Sequence, residues 1–240
     1  MHAQEIDIPL GIMSYLEKRT KRSKYVNKSR YSVTDIIGCQ RKSYYRSIGV
    51  DEEQLLEDYT VDNMWDSVRG DLLHSLSYAY KWRELDMEYK VSLRDGREAI
   101  VAGRLDMYDW KNATIIDLKT TKFVKWQIKN GFIPRKEHIL QLQCYNTIYS
   151  GTIPVKSLNI LYVDMNVMIA FEVQKKDVSQ WIQTRVQELE DSQSHCTIPI
   201  GEVSGLCKFC RFQTKCYNDG SGIRTTPLSF PRDSQELKLP

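Results

Sequence analysis

The amino-acid sequence predicts an α/β sandwich built around a three-strand meander. Three observations carry that expectation. Met64–Tyr80 sets Val68, Leu72, Leu76 and Tyr80 four residues apart, the spacing of one helix face. Leu85–Leu93, Glu98–Tyr108 and Ala113–Thr120 are strand-like, the first two joined through Asp95-Gly96, a dipeptide that hairpins favour. A second helical segment, His138–Tyr149, then leads into two further strands.

Taken in order, SVTDIIGCQRKSYYRSIG opens on Ser32 as an N-cap with Asp35 in the first turn, so a helical run is expected ahead of the meander. The helix ending at Tyr149 is expected to stop at Gly151, a residue suited to the left-handed C′ position. Leu158–Val163 and Val167–Val173 flank a turn at Asp164-Met165-Asn166, and Asp177 or Ser179 caps a helix running to about Leu189. From Asn218 onward there is little periodicity, which reads as a loose tail.

With 240 residues, 41% hydrophobic and 27% charged, the chain has the composition of an ordinary soluble protein. Its apolar runs fall well short of the ~18 residues a membrane span needs. MHAQEIDIPL lacks the basic start and apolar stretch of a secretory signal, so a cytoplasmic protein with no membrane partner is expected. In that setting six cysteines read as metal ligands or free thiols rather than a disulfide frame. Charge is segregated: residues 1–50 hold ten Lys or Arg against four acids, whereas DEEQLLEDYTVD holds six acids and no base. The basic stretch Lys18–Arg30 is either a solvated arm or a nucleic-acid contact, and the acidic segment a surface connection.

TIIDLKTTK, Thr114–Lys122, poses a chemical question. On a strand, Asp117 and Lys119 share a face with Ile115, so a carboxylate and an ammonium point inward. If Lys111-Asn112 is a two-residue turn, Trp110 pairs with Ala113 and Asp106 stands opposite Asp117. Such pairs have Cβ atoms roughly 4.5–5.5 Å apart, and two carboxylates there repel. A hard divalent cation, Mg2+ or Mn2+, removes the conflict. Lys119 can then stabilise charge on a phosphate or orient the attacking water. The plainer alternative is two surface acids with Lys119 as a salt-bridge partner.

A second constellation is CKFCRFQTKC, with Cys207, Cys210 and Cys216 separated by two and five residues. Three thiolates at that spacing grip one metal centre and need a fourth ligand. The candidates are Cys196, Cys144, His195 and Cys39, and local spacing alone favours Cys196 or His195, with zinc as the default metal.

Asp106 in GRLD and Asp117-Leu118-Lys119 resemble the two halves of the PD-(D/E)xK nuclease signature, in particular its RecB-like branch. His74, on the helix before the meander, and the pair Gln141 and Tyr145, on the helix after it, fit two further marks of that branch. The resemblance implies a restriction-endonuclease-like core, a mixed β-sheet flanked by helices. It further implies metal binding by His74, Asp106, Asp117 and the Leu118 carbonyl, catalysis by Lys119, and DNA contact by Gln141 and Tyr145. A subset of the branch carries an iron–sulfur cluster held by one Cys before the core and three after it. Cys39 then replaces the local candidates as fourth ligand beside Cys207, Cys210 and Cys216, in a 4Fe–4S centre that staples the two ends of the domain. A 2Fe–2S centre or zinc is the lesser alternative, and Cys144 and Cys196 receive no role. On this resemblance the chain divides into a basic arm (1–30), a helical part with the first cluster Cys (31–63), a nuclease core (64–190), a cysteine segment (191–217) and a tail (218–240).

A compact cluster-bearing chain without a helicase domain is most similar to the CRISPR-associated exonuclease family sometimes called Cas-four. That implies a metal-dependent exonuclease on single-stranded DNA, 5′→3′, preparing new spacers beside the integrase proteins of CRISPR adaptation. Self-association is compatible with this reading. Cluster-bearing repair exonucleases share the layout. A non-catalytic DNA-end-binding subunit, gripping strands through the basic arm and Tyr44, Tyr45 and Trp126, is the non-enzyme alternative.

Overall fold

A computed structural model describes residues 10–20, 29–52, 61–204, 206–207, 210–220 and 223–224. Most of the basic stretch, most of the acidic segment and the tail beyond residue 224 lie outside them.

The centre of the molecule is β3 (Glu98–Asp109), a twelve-residue strand of a six-stranded sheet. β2 (Trp82–Ser92) runs antiparallel to it along nearly its whole length, from Ser92↔Glu98 to Trp82↔Tyr108. Its other edge is shared. The short β1 (Arg30–Ser32) pairs in parallel with Ile100–Ala102, and β4 (Thr114–Thr120) pairs antiparallel with Met107–Asp109. Among the described residues, 103–106 have no strand partner on that edge. Beyond β4 lie β5 (Ser157–Val163), parallel to it, and β6 (Met168–Val173), antiparallel to β5, so the sheet is mixed as expected.

Both predicted hairpins form. At the first, Gly96 takes φ +85° and Leu93 and Arg97 close the loop by an N–H···O bond of 2.8 Å. At the second, the turn is wider than expected: it spans Trp110–Ala113, with Asp109↔Thr114 the last pair. The Asp109 carboxylate accepts from the Lys111 and Asn112 backbone N–H groups and from the Asn112 side chain, so it shapes the turn from one residue further out. Because one residue is added on each side, the register survives.

The helix opening at Ser32 has the capping box with Asp35, but it is two helices, α2 (Val33–Ile37) and α3 (Gln40–Ser47), broken at Gly38-Cys39. Residues 10–20, assigned to a basic arm by sequence, form helix α1 (Leu10–Thr20), whose Leu16 packs against Met64 and Val68 of α4 (Val61–His74). The helix expected to reach Tyr80 ends at His74 and tightens into a 3-10 turn, Ser75–Ala79. α4 lies against β4. A Cβ on Gly70 would stand 3.4 Å from the Thr120 hydroxyl, and Lys122, just past β4, pairs with Asp66 at 2.7 Å.

α6 (Lys136–Tyr149) fills the opposite face, buried from Ile139 to Tyr145 between the sheet and α7 (Ser179–Ser194). It ends on Ser150 in right-handed geometry, and Gly151 does not adopt the left-handed conformation expected of it. α7 has no side-chain cap at its own N-cap, Val178. The expected residue still acts nearby, since Asp177 accepts the Ser179 N–H at 2.9 Å. Among the described residues no helix is long and apolar enough to cross a membrane.

Candidate active site

β4 presents two faces. Ile116 and Leu118 pack with Met107, Val163 and, from α4, Leu73, whereas Ile115 belongs to the main core beneath α6. Strand alternation therefore puts Asp117 and Lys119 on the α6 side. The pairs Met107↔Ile116 and Tyr108↔Ile115 fix the register that sets Asp106 opposite Asp117. The ladder stops one residue short of that pair. Asp106 is unpaired on its β2 flank as well, where the pairs skip Glu84, held at φ +48°. Freed from both ladders, the Asp106 side chain turns across the gap and accepts the Leu118 N–H at 2.8 Å.

Asp117 is 2% exposed. Its Oδ2 lies 2.7 Å from the Lys119 ammonium, yet this fully buried oxygen has no well-aligned hydrogen-bond donor among the described residues. Burial, with Asp106 opposite, raises the Asp117 carboxyl to about 6, against the opposing pull of Lys119 and His74. Two opposed carboxylates, one with an orphaned buried oxygen, suit a hard cation. The Leu118 carbonyl leaves the strand on the same edge as its N–H and so faces the gap. His74 ends α4 and borders, with Lys119, Thr120, Arg135, His138 and Tyr162, a cavity of about 240 Å3. Among the described residues no three His, Cys, Asp or Glu side chains already stand close enough to enclose an ion.

Gln141 and Tyr145 are brought to this site but not to its surface. At 7% and 5% exposure they lie behind the carboxylates, Gln141 donating to the Tyr145 hydroxyl at 2.9 Å. α6 is the central core helix, so the DNA contact expected of this pair falls on two side chains that the sheet and α7 largely cover. Tyr145 instead explains Gly103, since a Cβ there would meet its ring at 3.3 Å. Tyr44 and Tyr45, 5% and 1% exposed, are likewise core residues unable to grip a strand. Trp126 is different. It stands 58% exposed on α5 (Val124–Lys129), its ring 5.4 Å from that of the equally exposed Phe132.

The six cysteines are free. Cys39 occupies the break between α2 and α3 as N-cap of α3. Two residues on, buried Arg41 donates to the Pro199 carbonyl at 2.8 Å and reaches the carbonyl and Sγ of Cys216, on α8 (Gln213–Asn218), at 3.3 and 3.6 Å. Arg185 of α7 donates to the carbonyls of Ile36 and Gly38 at 3.0 and 2.7 Å, across the same break. Burial raises the Cys210 thiol, with Cys39 and Cys207 adding smaller rises and Lys42 opposing them; among the described residues the cysteines do not already stand together as a metal-binding group. Cys144 is fully buried inside α6, the small core residue expected, and Cys196 is exposed at φ +52°.

Sequence reasoning missed Arg135, His138 and Tyr162 at the cavity. The signal available was Arg135 and His138, three residues apart at the start of a foreseen helix.

Residues 38–217 match the PD-(D/E)XK nuclease superfamily, and the chain belongs to that superfamily. Nucleases of this superfamily use divalent cations such as Mg2+ or Mn2+. No curated protein matches the chain. Among solved structures, that of SSO0001 is similar with 19% identity and a TM-score of 0.61, over 87% of this chain and 96% of that one. A candidate exonuclease from Eubacterium rectale is similar with 12% identity and a TM-score of 0.42, over 94% of this chain and 97% of that one.

Proposed function

We propose that the chain is a metal-dependent deoxyribonuclease that digests single-stranded DNA from an end. The observation that carries the reading is the meeting of Asp106, Asp117 and Lys119 where β3 and β4 part. Asp106, Asp117 and the Leu118 carbonyl, with His74 at the cavity rim, are the groups that would hold a divalent cation. Such a cation supplies an activated water and a polarised scissile phosphate. The chain's own residues do the rest. Asp106 holds the Leu118 peptide in place. Asp117 holds the Lys119 ammonium in position, and Lys119 offsets negative charge as it develops on the phosphate. The exposed pair Trp126 and Phe132, on the segment leaving β4, offers unstacked bases a platform, which favours a single strand.

Cys39, Cys207, Cys210 and Cys216 are the groups that would hold an iron–sulfur cluster. What supports this is the link Arg41 makes between α3, which Cys39 caps, and Cys216 on α8. The centre would be structural. With it, the RecB-like resemblance supports 5′→3′ digestion and a place in CRISPR adaptation beside the integrase, with DNA repair as the second pathway.

The test is cleavage of single-stranded DNA labelled separately at each end, with Mn2+, Mg2+ or EDTA. Metal-dependent loss of one label, absent in Asp117→Ala and Lys119→Ala, is expected. Binding without cleavage by the metal-loaded native chain would make it a recognition subunit instead.

A further inference from the structure

The cavity beside Lys119 contains a hydrogen-bond chain that the carboxylate pair does not require. Tyr162 is 1% exposed, and its hydroxyl has two partners: the Arg135 backbone N–H at 3.0 Å and His138 Nδ1 at 2.7 Å. The amide can only donate, so the Tyr162 oxygen accepts from it. The phenolic proton then has one acceptor within reach, His138 Nδ1. The opposite arrangement, with a proton on Nδ1, would leave a buried O–H unsatisfied. His138 is therefore the tautomer with its proton on Nε2, and no described residue accepts from that nitrogen. Burial, with Lys119 and Arg135 nearby, lowers the His138 pKa to about 3, which agrees with a neutral ring.

Around the same cavity the Arg135 guanidinium makes no ion pair among the described residues, and the Lys119 ammonium is held from behind by Asp117. No acidic side chain among the described residues lines the cavity. Two cations and one fixed neutral donor converging on a space without acids is a complement to a tetrahedral oxyanion.

We propose that Lys119, Arg135 and His138 form a phosphate subsite adjoining the carboxylate pair, with Tyr162 as the positioning residue that fixes His138 as a donor. The ligand class is a DNA phosphate, either the diester next to the bond cut or a terminal phosphate. The inference deepens the nuclease reading and rests on it for the identity of the ligand.

The test measures equilibrium binding of the full chain, in EDTA, to a fluorescent single strand bearing a 5′-phosphate or a 5′-hydroxyl, with inorganic phosphate as competitor. Gln presents a donor where Nε2–H lies and Phe does not. His138→Phe and Arg135→Gln are each expected to weaken binding about tenfold, His138→Gln to stay within about twofold, and Tyr162→Phe to fall between. Melting temperatures are followed alongside, and the exposed Arg135→Gln serves where a His138 variant does not fold. A loss seen only with the 5′-phosphate strand identifies a terminal phosphate. An equal loss on both strands identifies an internal diester. Equal losses for His138→Gln and His138→Phe, or native binding by both His138→Phe and Arg135→Gln, would overturn the subsite. Binding in EDTA is read separately from cleavage, so a strand bound as expected here but left uncut in the Mn2+ cleavage assay would remove the nuclease reading and leave the subsite standing.

Discussion

The Asp106 carboxylate accepts the Leu118 backbone N–H at 2.8 Å, at the point where β3 and β4 separate. Continued at the same register, the ladder would set Leu118 opposite Leu105, and a backbone carbonyl would take that proton. A side chain takes it here. The substitution keeps the Leu118 peptide satisfied while the strands splay, and it opens the sheet beside Asp117 without leaving an orphaned amide. It also commits Oδ2 of Asp106 to structure, which leaves Oδ1 as the oxygen that would meet a cation.

The first consequence concerns Asp117. Its carboxyl is raised from an ordinary value of 3.8 to about 6, chiefly by burial. Between those values the metal-free folded state holds a proton that the unfolded chain releases. Stability therefore falls as pH rises through this window, and the deficit is complete above about 6. Asp117→Asn removes the charge. In EDTA at pH 7 its Tm should exceed that of the native chain by about 2–4 °C for each kcal/mol relieved, and the difference should vanish near pH 4. Mn2+ should raise the Tm of the native chain alone. Cleavage by Asp117→Asn should drop on the order of a thousandfold, several kcal/mol of transition-state stabilisation being lost. A variant that melts lower than the native chain in EDTA would show the ion pair with Lys119 outweighing the cost of burial.

The legible parts of this fold were those encoded locally. Asp95-Gly96 and the capping box of Ser32 and Asp35 act within a few residues, and alternation along Thr114–Lys119 fixed which side chains face inward. What escaped depends on distant partners. α5 starts with Phe123 in left-handed geometry, and its first N–H is capped by Asp164, forty residues away. Gln141 and Tyr145 carry no local mark of burial, because the sheet and α7 that enclose α6 arrive from elsewhere in the chain. The Tyr162–His138 contact likewise joins a strand to a helix across 24 residues.

Gly103 tests the support behind the carboxylates. An added methyl would stand 3.3–3.5 Å from the Tyr145 ring and Ile148, both buried in the core. Gly103→Ala should therefore destabilise by about 1–3 kcal/mol through overpacking. Paired with Tyr145→Leu, it should cost less than the sum of the two single changes, since they share one contact. Additive losses in urea denaturation would place the strain elsewhere.

Trp126 and Phe132 separate binding from folding. Both are more than half exposed and lean on one another. Trp126→Ala and Phe132→Ala should each weaken single-strand binding by about 1–3 kcal/mol with Tm nearly unchanged. Double-stranded DNA of the same length should be affected much less, because its bases offer no free faces. Equal losses on both substrates would reduce the pair to a surface patch.

The cysteines give the sharpest contrast between local spacing and fold. By spacing, Cys196 or His195 is the natural fourth partner of Cys207, Cys210 and Cys216. In the fold Cys196 is exposed, whereas Cys39 lies two residues from the Arg41 that reaches Cys216. Protein purified without oxygen should absorb near 400 nm and contain iron and acid-labile sulfide. Cys39→Ser should lose that absorption and release the C-terminal segment to proteolysis. Cys196→Ser and Cys144→Ser should keep both the colour and the compact core. Arg41→Met leaves the Pro199 and Cys216 carbonyls without their donor, a loss of about 1–3 kcal/mol. It should loosen the segment in apo protein far more than in cluster-bearing protein, because a cluster would bridge the same two elements. Zinc in place of iron, retained by Cys39→Ser and lost by Cys196→Ser, would restore the local ligand set and sever the N-terminal helices from the centre.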